Sequence, residues 1–196
     1  MLAAWKAGTR LDRNLMVLAV LGFATPGFWL AFLTIWVFAV NLGWFPVIGY
    51  SPIQDGLFKH LHSLFLPVMV NSILASAFIS RITRSAMLEV LREDYIRTAR
   101  AKGASEFSVF LRHAFRPSAI PVATVIGASI AGLATGFVLT ETIFAIPGLG
   151  RMLVDAIVRR DYPIIQALLM VVAIVLIGVN LIIDILYAYI DPRIRY

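Results

Sequence analysis

His60 and His62, separated by one residue at the edge of an apolar run, are the side chains with the most evident ligand chemistry in this sequence. Two imidazoles without a third ligand do not make a tetrahedral metal site, so no metal is assigned to them. The other polar groups set among apolar neighbours are Asn71, Ser72 and Ser76, followed much later by Thr140 and Glu141. Amides, hydroxyls and carboxylates in such places hydrogen-bond to a neighbouring helix or face a solute path, and these five are the candidate path residues. Catalytic signatures do not occur: there is no glycine-rich phosphate loop with its Lys and Ser/Thr, no His-Glu-x-x-His and no Gly-x-Ser-x-Gly. No cofactor is expected, and any energy for work must come from a partner. The chain lacks cysteine, which excludes disulfides and thiolate metal ligands within it.

The elements that must hold these groups are set by hydropathy. Of the 196 residues 60% are hydrophobic and 14% charged, and the mean hydropathy is +0.88. A soluble domain of this size could not bury so much apolar surface. Crossing a hydrocarbon core takes about 20 helical residues, and four stretches meet or approach that length: 15–40, 64–82, 120–139 and 164–187. The reading is an all-α membrane protein, a polytopic bundle with four transmembrane helices in a single membrane domain over 1–196. The second stretch needs Arg81 to reach the interface by snorkelling. Within the first, Pro26 and Gly27 predict a bend or break, because proline removes a backbone hydrogen bond. In the third, Gly127 with Ala131 and Gly132 with Gly136 stand at small-xxx-small spacing, which lets two helix backbones approach closely.

Charge gives these elements a direction. Of 17 lysines and arginines, 13 lie before the first stretch, from Arg81 at the end of the second to the start of the third, or at the tail, and four lie in the other two loops. The positive-inside rule then puts both termini and the central basic segment in the cytoplasm. Basicity is therefore a topology signal, and nucleic-acid binding is not expected.

The central segment, about 83–119, is patterned for helix. Met87, Val90, Leu91, Tyr95 and Thr98 recur at spacings of three and four and predict an amphipathic helix that Gly103 ends. Ser105 suits an N-cap with Glu106 in the first turn. Phe107, Phe110, Leu111 and Ala114 then share one face of a second helix, which Pro117 is expected to close. Such a pair could lie on lipid, pack under its own bundle or dock into a partner's groove, and periodicity leaves these open.

The stretch "RTARAKGASEFSVFLRHAFRP" resembles the cytoplasmic coupling loop, the EAA loop, of permease subunits of ATP-binding cassette importers, in the variant of the dipeptide, oligopeptide, nickel and glutathione systems. The flanking "ITRSAMLEVLREDYIRTARAKG", "TETIFAIPGLGRMLVDAIVRRDYP" and "DILYAYIDPRIRY" are similar to the same family in the same order. Arg97, Thr98 and Ala99 stand where the general pattern has Glu-Ala-Ala, as is usual in this branch. The resemblance implies the type I permease fold, and a loop that docks on a cytoplasmic ATPase through Glu93 to Leu111. Ala99 and Gly103 would have to stay small at that contact, and Arg97, Arg100 and Lys102 would meet acidic groups or phosphates. It further implies a second permease subunit, two ATPase subunits and an external solute-binding protein as partners, in a bacterial inner membrane. Six spans are usual in the branch, so this chain is expected to carry the last four. Peptide import leads among the expected functions. Nickel or glutathione import by the same family, or a truncated non-transporting anchoring or assembly subunit, are the alternatives.

Overall fold

The computed structural model describes residues 2–134 and 138–190, and every element among them is helical. In chain order they are α1 (Leu2–Trp5), α2 (Arg10–Ala24), α3 (Gly27–Thr34) running on into π-helical turns at Ile35–Asn41, a 3-10 turn at Ile53–Asp55, and α4 (Leu57–Val90). Then come α5 (Asp94–Ala101), α6 (Glu106–Ser108) continued by π-helical turns at Val109–Ala114, and α7 (Phe115–Ala134). The last three are α8 (Val138–Ile143), α9 (Leu149–Arg159) and α10 (Tyr162–Ile190).

Two of these helices are long and apolar enough to cross a membrane, α4 and the Tyr162–Ile185 part of α10. A third span results if α2 and α3 with its π turns are taken as one bent pair. The break expected near Pro26 is present, with Pro26 in extended conformation (ψ 134°) as the N-cap of α3. Proline drives the residue before it out of the helical region, so α2 stops at Ala24. The stretch expected to span over 120–139 includes residues 135–137, which lie outside the described residues, as does Gly136 of the small-residue pattern. Helix α4 begins seven residues before the expected stretch and ends eight residues after it. Its 34 residues make a rod of about 50 Å against a hydrocarbon core of about 30 Å, longer than one upright crossing needs.

Contacts divide the chain into two compact units, one of residues 1–23, 76–129 and 179–196, the other of residues 24–75 and 130–178. In the first unit Ala4, Met87, Ile96, Val109, Phe110 and Ala114 form a closed apolar core, four of them with no exposed surface. Trp5 stacks on Phe110 with 5.6 Å between ring centres. Ser118, also buried, donates to the Ala114 carbonyl at 2.8 Å, so its hydroxyl enters the core satisfied. Gly127 gives α7 a close contact, since a Cβ there would collide with Ile183 of α10. At Gly132 an added Cβ would meet nothing within 4 Å.

The core of the second unit is Ala31, Ile35, Ala39, Leu66, Val70 and Phe144. Small residues on α3 let α4 and the Phe144 ring close over it, and Gly27 sits against Leu74. Phe45 packs flat on Phe65 with centroids 4.7 Å apart. His62 lies on Phe45, and its Nε2 is 2.8 Å from the Trp44 carbonyl, while His60 Nδ1 is 2.8 Å from the Ser51 carbonyl. Each imidazole thus serves as a loop brace. Outside these cores large apolar side chains face outward, and only 6% of the apolar window of α10 is buried. Lipid or another subunit is the natural cover for such a surface.

Candidate functional site

The helical hairpin 94–114 is built from a break, a turn and a brace. Helix α4 stops at Val90 and a turn at Leu91–Glu93 precedes α5, so the single helix expected from Met87 to Gly103 is two. The acids are the local cause: Glu93 is the extended N-cap of α5 and Asp94 opens its first turn, where negative charge meets free N–H groups. The break also turns Ile96 into the core, while Tyr95, expected on the apolar face, stays 45% exposed. Burying an isoleucine side chain contributes about 1.5 to 3 kcal/mol, and the turn keeps the Leu91, Arg92 and Glu93 N–H groups bonded, to the Met87, Glu89 and Val90 carbonyls. Tyr95 instead donates its hydroxyl to the His113 carbonyl at 3.3 Å. Partial burial, and after it the charge of Glu93, push its phenol above the ordinary range.

Gly103 ends α5 in the left-handed region, φ +82°. The Gly103 N–H donates to the Arg100 carbonyl (2.9 Å) and the Ala104 N–H to the Ala99 carbonyl (3.2 Å), the two bonds of a Schellman cap. Ala99 and Ala104, the pair whose contact completes that cap, both pack on the core. The next residue, Ser105, is the expected N-cap and accepts the Ser108 N–H at 3.3 Å. Across the turn Arg100 donates through Nε and Nη2 to the two carboxylate oxygens of Glu106, at 2.9 and 3.2 Å. Arg97 pairs at 3.3 Å with Asp94, both largely exposed, and Thr98 donates back to the Asp94 carbonyl. Glu93, Lys102 and Leu111 face outward.

Two further expectations for the second helix need correction. Phe107 (59% exposed) and Leu111 (43%) do not share the buried face of Phe110 and Ala114. The π turns at Val109–Ala114 rotate the helix away from the 3.6-residue repeat that put them together. Pro117 does not close the helix either. It lies inside one unbroken helical run, from Glu106 through the π turns and α7 to Ala134, which passes Pro121 as well, so each proline removes a backbone donor without ending the helix.

The candidate path residues part company. Thr140 donates to Asn71 Oδ1 at 3.3 Å, and Asn71 Nδ2 donates to the Pro67 carbonyl at 2.9 Å. This pair stands in a cavity of about 360 Å³ walled by Phe28, Leu74, Leu139 and Ile143. Ser72 and Ser76 are exposed elsewhere on α4. Glu141 is engaged at the start of α9, where it accepts the Arg151 N–H at 2.8 Å. A Cβ on Gly148 would collide with its carboxylate, and one on Gly150 would come within 2.9 Å of the Val138 backbone. The "IPGLG" run is thus shaped by a carboxylate at a helix N-terminus.

Sequence reasoning missed the ion pair of Asp12 with Arg84. Arg84 Nε and Nη2 donate to the two oxygens of Asp12 at 2.6 and 2.7 Å, and the Gly8 N–H donates to the second oxygen at 2.9 Å. The Asp12 side chain is 5% exposed. A signal existed, since Thr9 and Asp12 have capping-box spacing and an acid is out of place in a basic flank. Asp12→Asn is expected to lower the thermal midpoint of the detergent-extracted protein, and the reversed pair Asp12→Arg with Arg84→Asp to recover part of the loss. An unchanged midpoint in Asp12→Asn would show that the pair adds nothing.

The family model described as binding-protein-dependent transport system inner membrane component matches residues 1–196. A probable peptide ABC transporter permease protein, y4tP, of Sinorhizobium fredii is 47% identical over 195 residues, 100% of this chain and 62% of that protein. The di/tripeptide transport system permease protein DppB of Pseudomonas aeruginosa is 44% identical over 215 residues, covering 100% of this chain and 64% of its own. The oligopeptide transport system permease protein AppB of Bacillus subtilis is 42% identical over 197 residues, 100% and 62%. The chain therefore spans about three fifths of the length of the curated relatives it matches.

Proposed function

Because the chain belongs to the family of binding-protein-dependent transport system inner membrane components, we propose that it is a permease subunit of an ATP-binding cassette importer that moves di- or oligopeptides by alternating access. The observation that carries this reading is the match to proteins named as peptide permeases over the whole of this chain. The hairpin supports the energetic half. Gly103 turns two short helices about a common core, and Arg97 on α5 and Lys102 beside the turn face outward. A rigid basic knob of this kind suits a cleft on a cytoplasmic ATPase, and Glu93, Thr98, Ala99, Arg100 and Leu111 complete the proposed contact. The hairpin and both termini face the cytoplasm by the distribution of positive charge. A second permease, two ATPases and an external solute-binding protein complete the assembly, and Asn71 with Thr140 offers an amide and a hydroxyl to a peptide backbone in the path. The whole chain acts as one permease domain.

The test is to tag the chain in its host, extract it in mild detergent and identify stoichiometric partners by mass spectrometry. A second permease and an ATPase pair are expected, with ATP hydrolysis by the isolated complex stimulated by peptide. Recovery of the chain alone would refute the reading, and stimulation by nickel or glutathione in place of peptide would reassign the substrate.

A further inference from the structure

A cavity of about 540 Å³ in the first unit has a polar end and an apolar end. Gly8, Thr9, Arg13 and the Asp12–Arg84 pair form the polar end. Met16, Val17, Val20 and Leu21 form the other. Arg13 and these four recur at three and four residues along α2, so they make one stripe, about 12 Å long from Arg13 to Leu21. The charge of the polar end is fixed by the ion pair. Arg84 neutralises Asp12, which leaves Arg13 as the net cation, with exposed Lys6 and Arg10 in the adjoining turn. The stripe also lies where the basic flank meets the apolar stretch that starts at Leu15, the level at which a bilayer places its phosphates.

A soluble anion would use the arginine and leave the 12 Å of valine, methionine and leucine without purpose. An uncharged apolar segment would use the stripe and strand the cation. One class of molecule matches both ends in this order and is present wherever the chain is inserted. We propose that the groove is a binding site for an anionic phospholipid, with the phosphate at Arg13 and the exposed edge of Arg84 and the acyl chain along Met16 to Leu21. The Asp12–Arg84 pair then has a second use, since it holds Arg84 at the lip while cancelling the one carboxylate that would repel the headgroup. This inference rests on membrane insertion alone and not on what the chain transports.

Native mass spectrometry of the detergent-extracted protein, titrated with phosphatidylglycerol, phosphatidylcholine or inorganic phosphate, tests it. Phosphatidylglycerol should be retained about fivefold more strongly than phosphatidylcholine, and Arg13→Gln should remove that preference. The control Arg112→Gln, at an exposed arginine that does not line the groove, should keep it. Equal retention of the two lipids, or a preference that survives Arg13→Gln, would overturn the proposal, as would full competition by phosphate alone. The absence of cysteine allows a direct second reading, with Val17→Cys carrying a benzophenone in vesicles of phosphatidylcholine and phosphatidylglycerol. Crosslinking to phospholipid is expected, and crosslinking to a polypeptide instead would make the groove a protein contact. Because both readouts are binding, loss of peptide uptake by the complex would leave them unchanged.

Discussion

Gly103→Trp is expected to reduce uptake at least tenfold while Gly103→Ala leaves most of it, although the two variants impose the same strain on the chain. The backbone at Gly103 has φ +82°. Any side chain with a Cβ meets that conformation at a cost of about 1 to 2 kcal/mol. Alanine and tryptophan share this cost, and the Cβ common to both meets nothing within 4 Å. What separates them is bulk projecting from the tip of the hairpin, where only a partner can feel it. Both proteins should insert, extract and melt alike. The ATPase should copurify with the alanine variant and be lost from the tryptophan variant, together with peptide-stimulated hydrolysis. Ala99→Arg probes the same contact less cleanly, since Ala99 also packs on the core. If alanine and tryptophan fail equally, Gly103 serves the turn and not a contact, and the coupling proposal loses its main support.

Why some of this was legible and some not follows from where the information sits. Gly103, Ser105 and Pro26 act through their own backbone or that of the next few residues, so their turn, cap and break could be read from the chain alone. The break before α5 has a local signal in Glu93 and Asp94, but the apolar repeat runs through it unaltered and masks it. The π turns at Val109–Ala114 erase the 3.6-residue register on which the placing of Phe107 and Leu111 depended. In a membrane chain the pattern is weak in any case. Exposed Leu18 and Ile177 are as apolar as buried Leu66 and Met87, because lipid takes the place of the polar face. Arg84 lies 72 residues from Asp12 and Thr140 69 residues from Asn71, and no repeat spans such distances. Glu141, open in the sequence between a path and a neighbouring helix, also holds a helix start, a role that only the return of Gly148 to its carboxylate reveals.

The larger stability effect should fall on Ile96, and its order relative to Tyr95 decides between the pattern and the structure. By periodicity Tyr95 belongs to the core. In the fold Ile96 has no exposed surface among Met87, Val109, Phe110 and Ala114, while Tyr95 is 45% exposed and holds one long hydrogen bond. Ile96→Ala removes buried atoms and leaves a cavity, which costs about 2 to 5 kcal/mol; Ile96→Val should cost about 0.5 to 1.5 kcal/mol. Tyr95→Ala removes a partly wet ring and one bond, about 1 kcal/mol. Thermal unfolding of the extracted protein should therefore rank Ile96→Ala far below Tyr95→Ala, with Ile96→Val nearest to the parent. The reverse order would mean that α5 does not turn into the core after Val90. The ranking bears on function because a hairpin can pass on a partner's push only if it moves as a body. Ile96 is the side chain that locks α5 to the end of α4, so loosening it should weaken coupling between ATP hydrolysis and uptake even where the ATPase still binds.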